Sequence, residues 1–534
     1  MARELSRTRG APAALAAALV GVLAIGAPSA AEARRPDPAA RLAKDVKVDR
    51  VLDHLEELQE IADDNGGNRA AGQPGYSASV DYLVERLRKG GYQPQVQSFT
   101  FPFAQDFSVL HQLSPTQITY VNETDFLRNM FDGSPQGEAT GTVVGVDLAL
   151  PPPPAPGSTS GCEREDFATF PSGSIALVQR GTCDFTVKAL NAQAAGASGV
   201  LVMNEGQEGR TGIFGMSGDG SALTIPVVST TFEVGAALAA AQAPQVHMEV
   251  SFSVEERTTY NVIAQTRRGN TDNVVMAGAH LDSVQVGPGI NDNGSGSAAL
   301  LEVAEEFGRQ RVNNAVRFAW WGAEEEGLLG AEHYVGTLDE AERDRIALYL
   351  NFDMVASPNY TFGIYDGDNS GETAPDGFIP AGSAEIEDLF EAFYQGRGLP
   401  FEDSEFSGRS DYGPFIAVGI PAGGLFTGAE GVKTPAQAAR FGGLAGVAFD
   451  PCYHQACDNL TGEGQPEEVY GALDDLEGNI NVEALDVNTD AIATAVATFA
   501  ADTSVVNGYV TPPRGGRADL RVAGSLEGHA ALTQ

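Results

Sequence analysis

From about residue 260 to residue 500, short apolar runs alternate regularly with helical segments, and this alternation constrains the fold more than any other feature of the chain. Apolar runs that are separated by helices are typical of strands buried on both faces. Such strands form a mostly parallel sheet whose two sides are covered by helices. The pattern therefore predicts an α/β fold with a mostly parallel central sheet flanked by helices.

Side chains that can bind a metal come just after three of the predicted strands. They are His280, Asp353 and the adjacent pair Glu324 and Glu325. In open α/β sheets, ligands bind in the crevice beyond the carboxyl ends of the strands. We therefore expect these side chains to meet at one edge of the sheet.

Two further candidates lie in loops. Asp292 is in a glycine-rich loop directly before a predicted helix at 298–307. A capped glycine turn or a calcium loop are the alternatives there, although the spacing lacks the full twelve-residue calcium pattern. His454 lies between Cys452 and Cys457, and a short disulfide around it would orient its imidazole.

These donors together predict a two-metal hydrolase. Two imidazoles and three carboxylates, one of which can bridge, suit a pair of zinc ions. If the chain is still extended at Glu324 and Glu325, these two side chains point in opposite directions. Glu325 could then bind a metal while Glu324 serves as the general base. A solvated charge run is the alternative interpretation of these glutamates. The other five histidines have no such neighbours and are expected to be structural or exposed.

The four cysteines are predicted to form disulfides. Three pairings are open, and the nearest-neighbour pairing, Cys162 with Cys183 and Cys452 with Cys457, keeps both loops short. A thiolate metal site is the alternative, but neither pair has the two-residue spacing of a zinc knuckle. Residues 1–33 have the layout of a cleaved secretory signal, with arginines, an apolar stretch and small residues. Export to an oxidising compartment favours disulfides.

Length and charge limit the other possibilities. A chain of 534 residues exceeds one ordinary core at ~150 residues per domain, so two or more domains are expected. Residues 103–255 have short β-type runs and one clear helix near 185–195, which indicates a separate small domain. The net charge of −39 argues against nucleic acid and anionic membranes as partners. Beyond the signal, no segment is long and apolar enough for a membrane span.

Five sequence blocks resemble the secreted bacterial co-catalytic zinc aminopeptidases of the Streptomyces leucyl type, in both order and local spacing. The blocks are AGAHLDSV at 277–284, GINDNGSG at 289–296, FAWWGAEE at 318–325, NFDM at 351–354 and CYHQ at 452–455. A stretch between the first helices and these blocks resembles a protease-associated domain. It contains IALVQRGTCDF at 175–185 and ALNAQAAGA at 189–197.

The resemblance implies a role for each matching residue. One zinc would be held by His280 and Asp353, a second by Glu325 and His454, with Asp292 bridging the two. The remaining roles are as follows: Glu324 is the general base, Asp282 orients the imidazole of His280, Tyr453 hydrogen-bonds the developing oxyanion, Arg409 lies near the free amine, and Met354 and Phe426 form part of an apolar pocket.

The resemblance also implies the domain limits. The zinc peptidase domain would comprise 45–105 and 255–503, the inserted protease-associated domain 106–254, and a C-terminal tail 504–534. The resemblance implies a secreted enzyme that hydrolyses large apolar residues from the N-termini of peptides or proteins. The attacking group would be a hydroxide that bridges two zinc ions. A calcium ion is allowed for without an assigned ligand set, and the oligomeric state is not predicted.

Two alternatives stay open at this point. A zinc carboxypeptidase on the same fold must hold a free carboxylate and usually needs a cluster of basic residues near the metals, for which Arg409 is the only obvious candidate. A receptor-like binding protein without catalysis should have lost metal ligands. This chain keeps all five together with Glu324.

Overall fold

The computed structural model describes residues 38–510, except 130, 208, 309, 311, 373 and 376. Its first helices are α1 (Pro38–Asp45), α2 (Val48–Asp64) and α3 (Pro74–Lys89). Val51, Leu55 and Leu58 are buried along one side of α2, because residues three or four apart share a helix face. The glycine-containing segment 65–69 separates α2 from α3, where the sequence predicted a break.

Strand β1 (Gln95–Asp106) leads into a smaller sheet. Within the described residues, this sheet has eight strands: β2 (Val109–Ser114), β3 (Ile118–Tyr120), β4 (Phe126–Arg128), β5 (Gly137–Gly145), β6 (Ile175–Gln179), β7 (Gly199–Met203), β8 (Val227–Thr230) and β9 (Gln245–Val250). Strands β5 to β8 are parallel to one another, and β2, β3, β4 and β9 join antiparallel. A 3-10 turn, Arg164–Phe167, follows Cys162, which forms a disulfide with Cys183.

Two helices accompany this sheet, α4 (Phe185–Ala194) and α5 (Phe232–Ala240). The sequence predicted one clear helix here, and the prediction was wrong because it missed α5. That helix is apolar and small on nearly every side, so it shows no helical period. Its start is nevertheless marked by Thr231, whose side chain accepts a hydrogen bond from the Val234 amide.

A two-stranded ribbon connects the two sheets. Strand β1 pairs antiparallel along its whole length with β10 (Phe252–Gln265), so the chain enters and leaves the smaller sheet through this ribbon. Phe99, Phe101 and Phe103 on β1 are buried against Ala323, which precedes the candidate glutamates. The ribbon therefore supports the loop that carries them.

Eight strands of the described chain form the large sheet. After β1 and β10 they are β11 (Asn270–His280), β12 (Asn314–Trp321), β13 (Ile346–Phe352), β14 (Gly363–Tyr365), β15 (Glu402–Ser404) and β16 (Ala422–Phe426). Their spatial order is β1-β10-β12-β11-β13-β16-β14-β15. The pairings β12/β11, β11/β13 and β13/β16 are parallel, whereas β1, β10 and β14 join antiparallel. The predicted fold is confirmed, with a parallel centre and antiparallel strands towards the edges.

Helices cover both faces of the large sheet. The remaining elements are α6 (Gly296–Phe307), α7 (Leu329–Thr337), α8 (Glu340–Arg343), α9 (Ser383–Arg397), α10 (Tyr412–Ala417), α11 (Pro435–Phe441), α12 (Glu467–Tyr470), β17 (Leu476–Glu477), β18 (Ile480–Asn481), α13 (Val482–Ala501) and α14 (Ser504–Asn507). One face packs against α2, α3, α6, α9 and α13. The other packs against α7 and α10, where Tyr349 and Phe415 stack with ring centroids 3.9 Å apart.

The chain ends are described only in part. At the start of the segment predicted as a tail, α14 buries Val506 against the core. The predicted signal, 1–33, and the rest of the tail, from 511 onward, lie outside the described residues. Every helix found between residues 38 and 510 is too short or too polar to cross a membrane.

Candidate metal centre

Two ligand candidates lie at the carboxyl ends of neighbouring parallel strands. His280 is the last residue of β11, and Asp353 directly follows β13. His280 Nε2 lies 3.3 Å from Asp353 Oδ1. The His280 side chain is 1% exposed and that of Asp353 13% exposed, so both groups lie at the mouth of the core. The sheet topology brings them together, as expected from the strand ends.

The adjacent glutamates reach the same place by a different route from the one predicted. Strand β12 ends at Trp321, and the amides of Gly327 and Leu328 both donate to the carbonyl of Glu324. The chain therefore turns at Glu324 and Glu325, so the condition of an extended chain, under which the two side chains were predicted to point in opposite directions, is not met. Ala323 has a φ of +56°, which redirects the backbone before the turn. The two side chains still point to different histidines, Glu324 to His280 and Glu325 to His454.

Asp292 lies between two pairs of donors. Its Oδ1 is 3.2 Å from His280 Nε2, and its Oδ2 is 3.3 Å from His454 Nε2. His454 Nε2 is also 3.0 Å from Glu325 Oε2. The other four predicted ligands are thus grouped around the carboxylate of Asp292. His280 and Asp353 lie on one side, and His454 and Glu325 on the other.

A short disulfide loop presents His454. Cys452 and Cys457 are bonded, which is the nearest-neighbour pairing, and His454 has a φ of +57° within the loop. Its imidazole stacks on the ring of Tyr453, with centroids 3.9 Å apart. The side chain is 43% exposed, so packing alone does not fix it. The covalent loop and the Tyr453 ring therefore restrict its orientation.

Buried oxygens at this centre have no hydrogen-bond partner. Among the described residues, these include Glu325 Oε1 and Asp353 Oδ1. A buried carboxylate oxygen without a partner is costly unless a cation or a proton is bound to it. One donor atom from each of His280, Asp292 and Glu325 lies within 4.8 Å of the others, and the same holds for His280, Glu324 and Asp353. Nitrogen and oxygen donors at this density fit divalent zinc.

The acid–base properties point the same way. Burial, reinforced by Asp292, raises the pKa of Glu325 to about 7. Although burial opposes it, Glu325 and Asp292 raise the pKa of His454 to about 11. Burial and the nearby Asp353 raise the pKa of Glu324 well above its usual value. Closely spaced carboxylates share protons with the imidazoles, and cations would replace those protons.

Side chains that are not themselves predicted metal ligands also hold the ligands in position. The carboxylate of Asp282 accepts hydrogen bonds from the backbone amides of Glu324 and Glu325, at 3.3 and 3.4 Å. Its Oδ1 is 3.6 Å from His280 Nδ1, while its main-chain oxygen is 3.2 Å from that nitrogen. Asp282 therefore contacts both the imidazole and the turn. Ser410, which the sequence did not single out, donates to Asp353 Oδ2 at 2.6 Å.

Two buried ionisable residues that were not identified from the sequence, Asp458 and Arg69, also support the Asp292 loop. Asp458 directly follows the disulfide loop of His454, and its carboxylate accepts hydrogen bonds from the backbone amides of Asn291 and Asp292 at 2.7 and 3.0 Å. Arg69 is fully buried and donates to the main-chain carbonyls of Pro288 and Gly289, at the start of this loop. The DPCYHQACD pattern gave a usable signal for Asp458, because this carboxylate directly follows the cysteine that closes the loop of His454. Arg69 gave none, since an arginine in a glycine-rich loop is ordinarily exposed.

A cleft of about 520 Å³ opens over the donors. The predicted pocket residues Met354 and Phe426 line it, and its apolar wall continues with Leu328, Tyr365, Tyr412 and Phe449. Arg409 is the only lysine or arginine among the described residues that line it. Its guanidinium lies 3.3 Å from Glu430, so its charge is already paired. The cleft therefore presents a surplus of negative charge.

Other clusters of acidic and histidine side chains lie outside this cleft. His54, Glu302 and Glu305 form one, and two more share Glu387. His54 is buried and contacts the hydroxyl of Tyr82 at 2.6 Å, as expected of a structural histidine. Calcium stays a prediction without assigned ligands.

Two family models match the chain. Residues 261–466 match peptidase family M28, and residues 139–238 match the PA domain. An aminopeptidase of Pseudomonas aeruginosa is 47% identical over 466 residues, covering 86% of this chain and 82% of that protein. A probable lipoprotein aminopeptidase of Mycobacterium tuberculosis is 41% identical over 91% of this chain and 90% of its own length. Leucine aminopeptidase 2 of Trichophyton rubrum is 38% identical over 89% of this chain and 88% of its own length.

Solved structures share the fold. An aminopeptidase from Aneurinibacillus sp. strain AM-1 superposes with a TM-score of 0.57 at 25% identity, covering 86% of this chain and 95% of that one. A zinc aminopeptidase from Bacillus subtilis superposes with a TM-score of 0.59 at 22% identity, covering 86% and 98%. The resemblance to zinc aminopeptidases with an inserted protease-associated domain is confirmed.

Proposed function

This chain belongs to peptidase family M28 and is an aminopeptidase, and we propose that it is a secreted di-zinc enzyme that removes large apolar residues from peptide N-termini. The position of Asp292 carries the proposal, because its two oxygens face separate donor pairs at 3.2 and 3.3 Å. We assign one zinc to His280 and Asp353 and the other to Glu325 and His454, with Asp292 bridging.

Zinc ions held by these residues would supply Lewis acidity, which would polarise the scissile carbonyl and lower the pKa of the attacking water. Glu324 takes the proton of the attacking water and returns it to the leaving amine. Burial raises the pKa of Glu324 well above its usual value, so this carboxylate is a stronger base than an exposed glutamate. Tyr453, whose pKa burial raises, keeps its proton and donates a hydrogen bond to the developing oxyanion.

The charge of the cleft supports a preference for free amines. Zinc would neutralise the carboxylates that bind it, so the attraction for an N-terminal ammonium rests on Glu405 and Glu430, which line the cleft and are not ligands. The same two carboxylates repel a C-terminal carboxylate. A carboxypeptidase would need a free basic group, and Arg409 is paired with Glu430. Arg409 is instead proposed to border the site of the free amine. The apolar wall with Met354 and Phe426 favours a large apolar first side chain.

Two disulfides support an oxidising destination, and we propose that the protein is exported. We place the limits of the inserted domain at 106 and 254, because the strands of the smaller sheet fall between Val109 and Val250. The peptidase domain then consists of 45–105 and 255–503, followed by a tail from 504.

Matched peptides with free or acetylated N-termini test the proposal, assayed before and after chelation. We expect cleavage of the free peptide alone, its loss on chelation and its return with zinc. Glu324→Ala should retain zinc and lose turnover, because it removes the base and leaves the ligands. Equal cleavage of the acetylated peptide, or a fully active Glu324→Ala variant, would contradict the proposal.

A further inference from the structure

Arg69 occupies an unusual position for an arginine. It lies in the loop between α2 and α3 and is fully buried. Nε donates to the carbonyl of Pro288 at 2.8 Å, Nη2 to that of Gly289 at 2.7 Å, and Nη1 to that of Leu281. Within the described residues, all acceptors of the guanidinium are main-chain oxygens. The side chain is thus a three-pronged link between two stretches of backbone.

Those two stretches carry metal ligands. Leu281 directly follows His280, and Gly289 precedes Asp292 by three residues. The backbone amide of Arg69 adds a fourth contact, to Ser283 Oγ at 2.9 Å, and the same hydroxyl donates to the carbonyl of Gly287. The segment between His280 and Asp292 is therefore held at both ends by one residue.

A buried charge without a carboxylate partner is costly, so its retention calls for an explanation. Burial lowers the pKa of Arg69 to about 10, so the guanidinium is still charged at neutral pH. A lysine would keep the charge, but its compact ammonium lacks the planar fork that reaches separate carbonyls together. The geometry of Arg69, rather than its charge alone, matches the three acceptors.

We propose that Arg69 is a positioning residue that fixes His280 relative to Asp292 and thereby sets the affinity of the cation site they form with Asp353. This inference rests on the metal ligands of the proposed function. The partner site depends less on Arg69, because Asp458 also binds the backbone at the shared ligand Asp292 and the disulfide loop holds His454. Loss of the fork therefore weakens one site more than the other.

Zinc titration of the metal-free protein against a chromophoric chelator tests this. Arg69→Lys is expected to lower the affinity of one of the two sites by about 10- to 100-fold and leave the other within about threefold. Arg86→Lys is the matched control, because it breaks a bidentate pair with Glu305 on the helices away from the ligands. It should lower thermal stability without moving either zinc affinity.

Two results would overturn the proposal: Arg69→Lys and wild-type titrations that coincide, or an equal weakening of both sites. Ser283→Ala covers the case in which Arg69→Lys fails to fold, because it removes the hydroxyl that accepts the backbone amide of Arg69 and donates to the carbonyls of Val284 and Gly287, within the segment from His280 to Asp292. It should weaken the same site by about threefold or more, and an unchanged affinity would refute the role. A wild-type protein that binds fewer than two zinc ions would count against the ligand set itself.

Discussion

The Cys162–Cys183 disulfide should contribute more to stability, and the Cys452–Cys457 disulfide more to zinc binding. Cys162 and Cys183 are 21 positions apart, whereas Cys452 and Cys457 are 5 apart. Closing a longer loop removes more entropy from the unfolded chain, and the chain-entropy relation gives about 3 kcal/mol for the first bond and about 2 kcal/mol for the second. Replacing both cysteines by alanine should therefore cost more stability for Cys162 and Cys183, in the domain of the smaller sheet, than for Cys452 and Cys457, which flank His454.

Zinc binding should follow the reverse order. His454 is 43% exposed and adopts a φ of +57° inside the shorter loop, so little except the disulfide and Tyr453 holds it. Without the Cys452–Cys457 bond, zinc affinity at the site of His454 should fall by about tenfold or more. The Cys162→Ala/Cys183→Ala variant should bind zinc as the wild type does.

Thermal denaturation of the metal-free proteins and chelator titration of the same samples measure the two effects. The reasoning is refuted if the Cys452→Ala/Cys457→Ala variant keeps wild-type zinc affinity. It is equally refuted if removal of the Cys162–Cys183 disulfide weakens zinc binding as much as removal of the Cys452–Cys457 disulfide does.

Three further predictions concern single residues. Burial raises the pKa of Glu302 from 4.5 to about 7, so this group favours the folded state at low pH, and that contribution is lost as the pH rises through 7. The free energy of unfolding of the wild type, measured by urea denaturation, should therefore fall by up to about 3 kcal/mol between pH 5 and pH 8, relative to the same measurement on Glu302→Gln. Tyr453→Phe should lower kcat by about 10²- to 10³-fold with unchanged zinc content, and an unaltered kcat would exclude the phenol from the reaction. Phe426→Ala should reduce kcat/KM for leucyl peptides about tenfold relative to alanyl peptides, a ratio that stays constant if Phe426 does not contact the first side chain.

The metal ligands could be predicted because strand ends are visible in sequence. An apolar run that stops at a polar residue identifies the end of a buried strand, and parallel neighbours bring His280 and Asp353 to the same edge. The position of Asp292 before a helix and of His454 between cysteines could be inferred in the same local way.

Features that depend on tertiary packing could not be predicted. Ala323 and Leu328 have positive φ values although neither is glycine, so the turn that carries Glu324 has no local signal. Helix α5 lacks a polar face and so lacks a period. Arg69 lies in a loop whose composition indicates exposure, and its burial depends on two backbone segments more than 200 positions away.

Anomalous scattering at the zinc edge, from crystals of the zinc-loaded protein, tests the central claim most directly. Two peaks are expected, one next to each oxygen of Asp292, with His280 and Asp353 around the first and Glu325 and His454 around the second. A single peak, or peaks away from Asp292, would contradict the account.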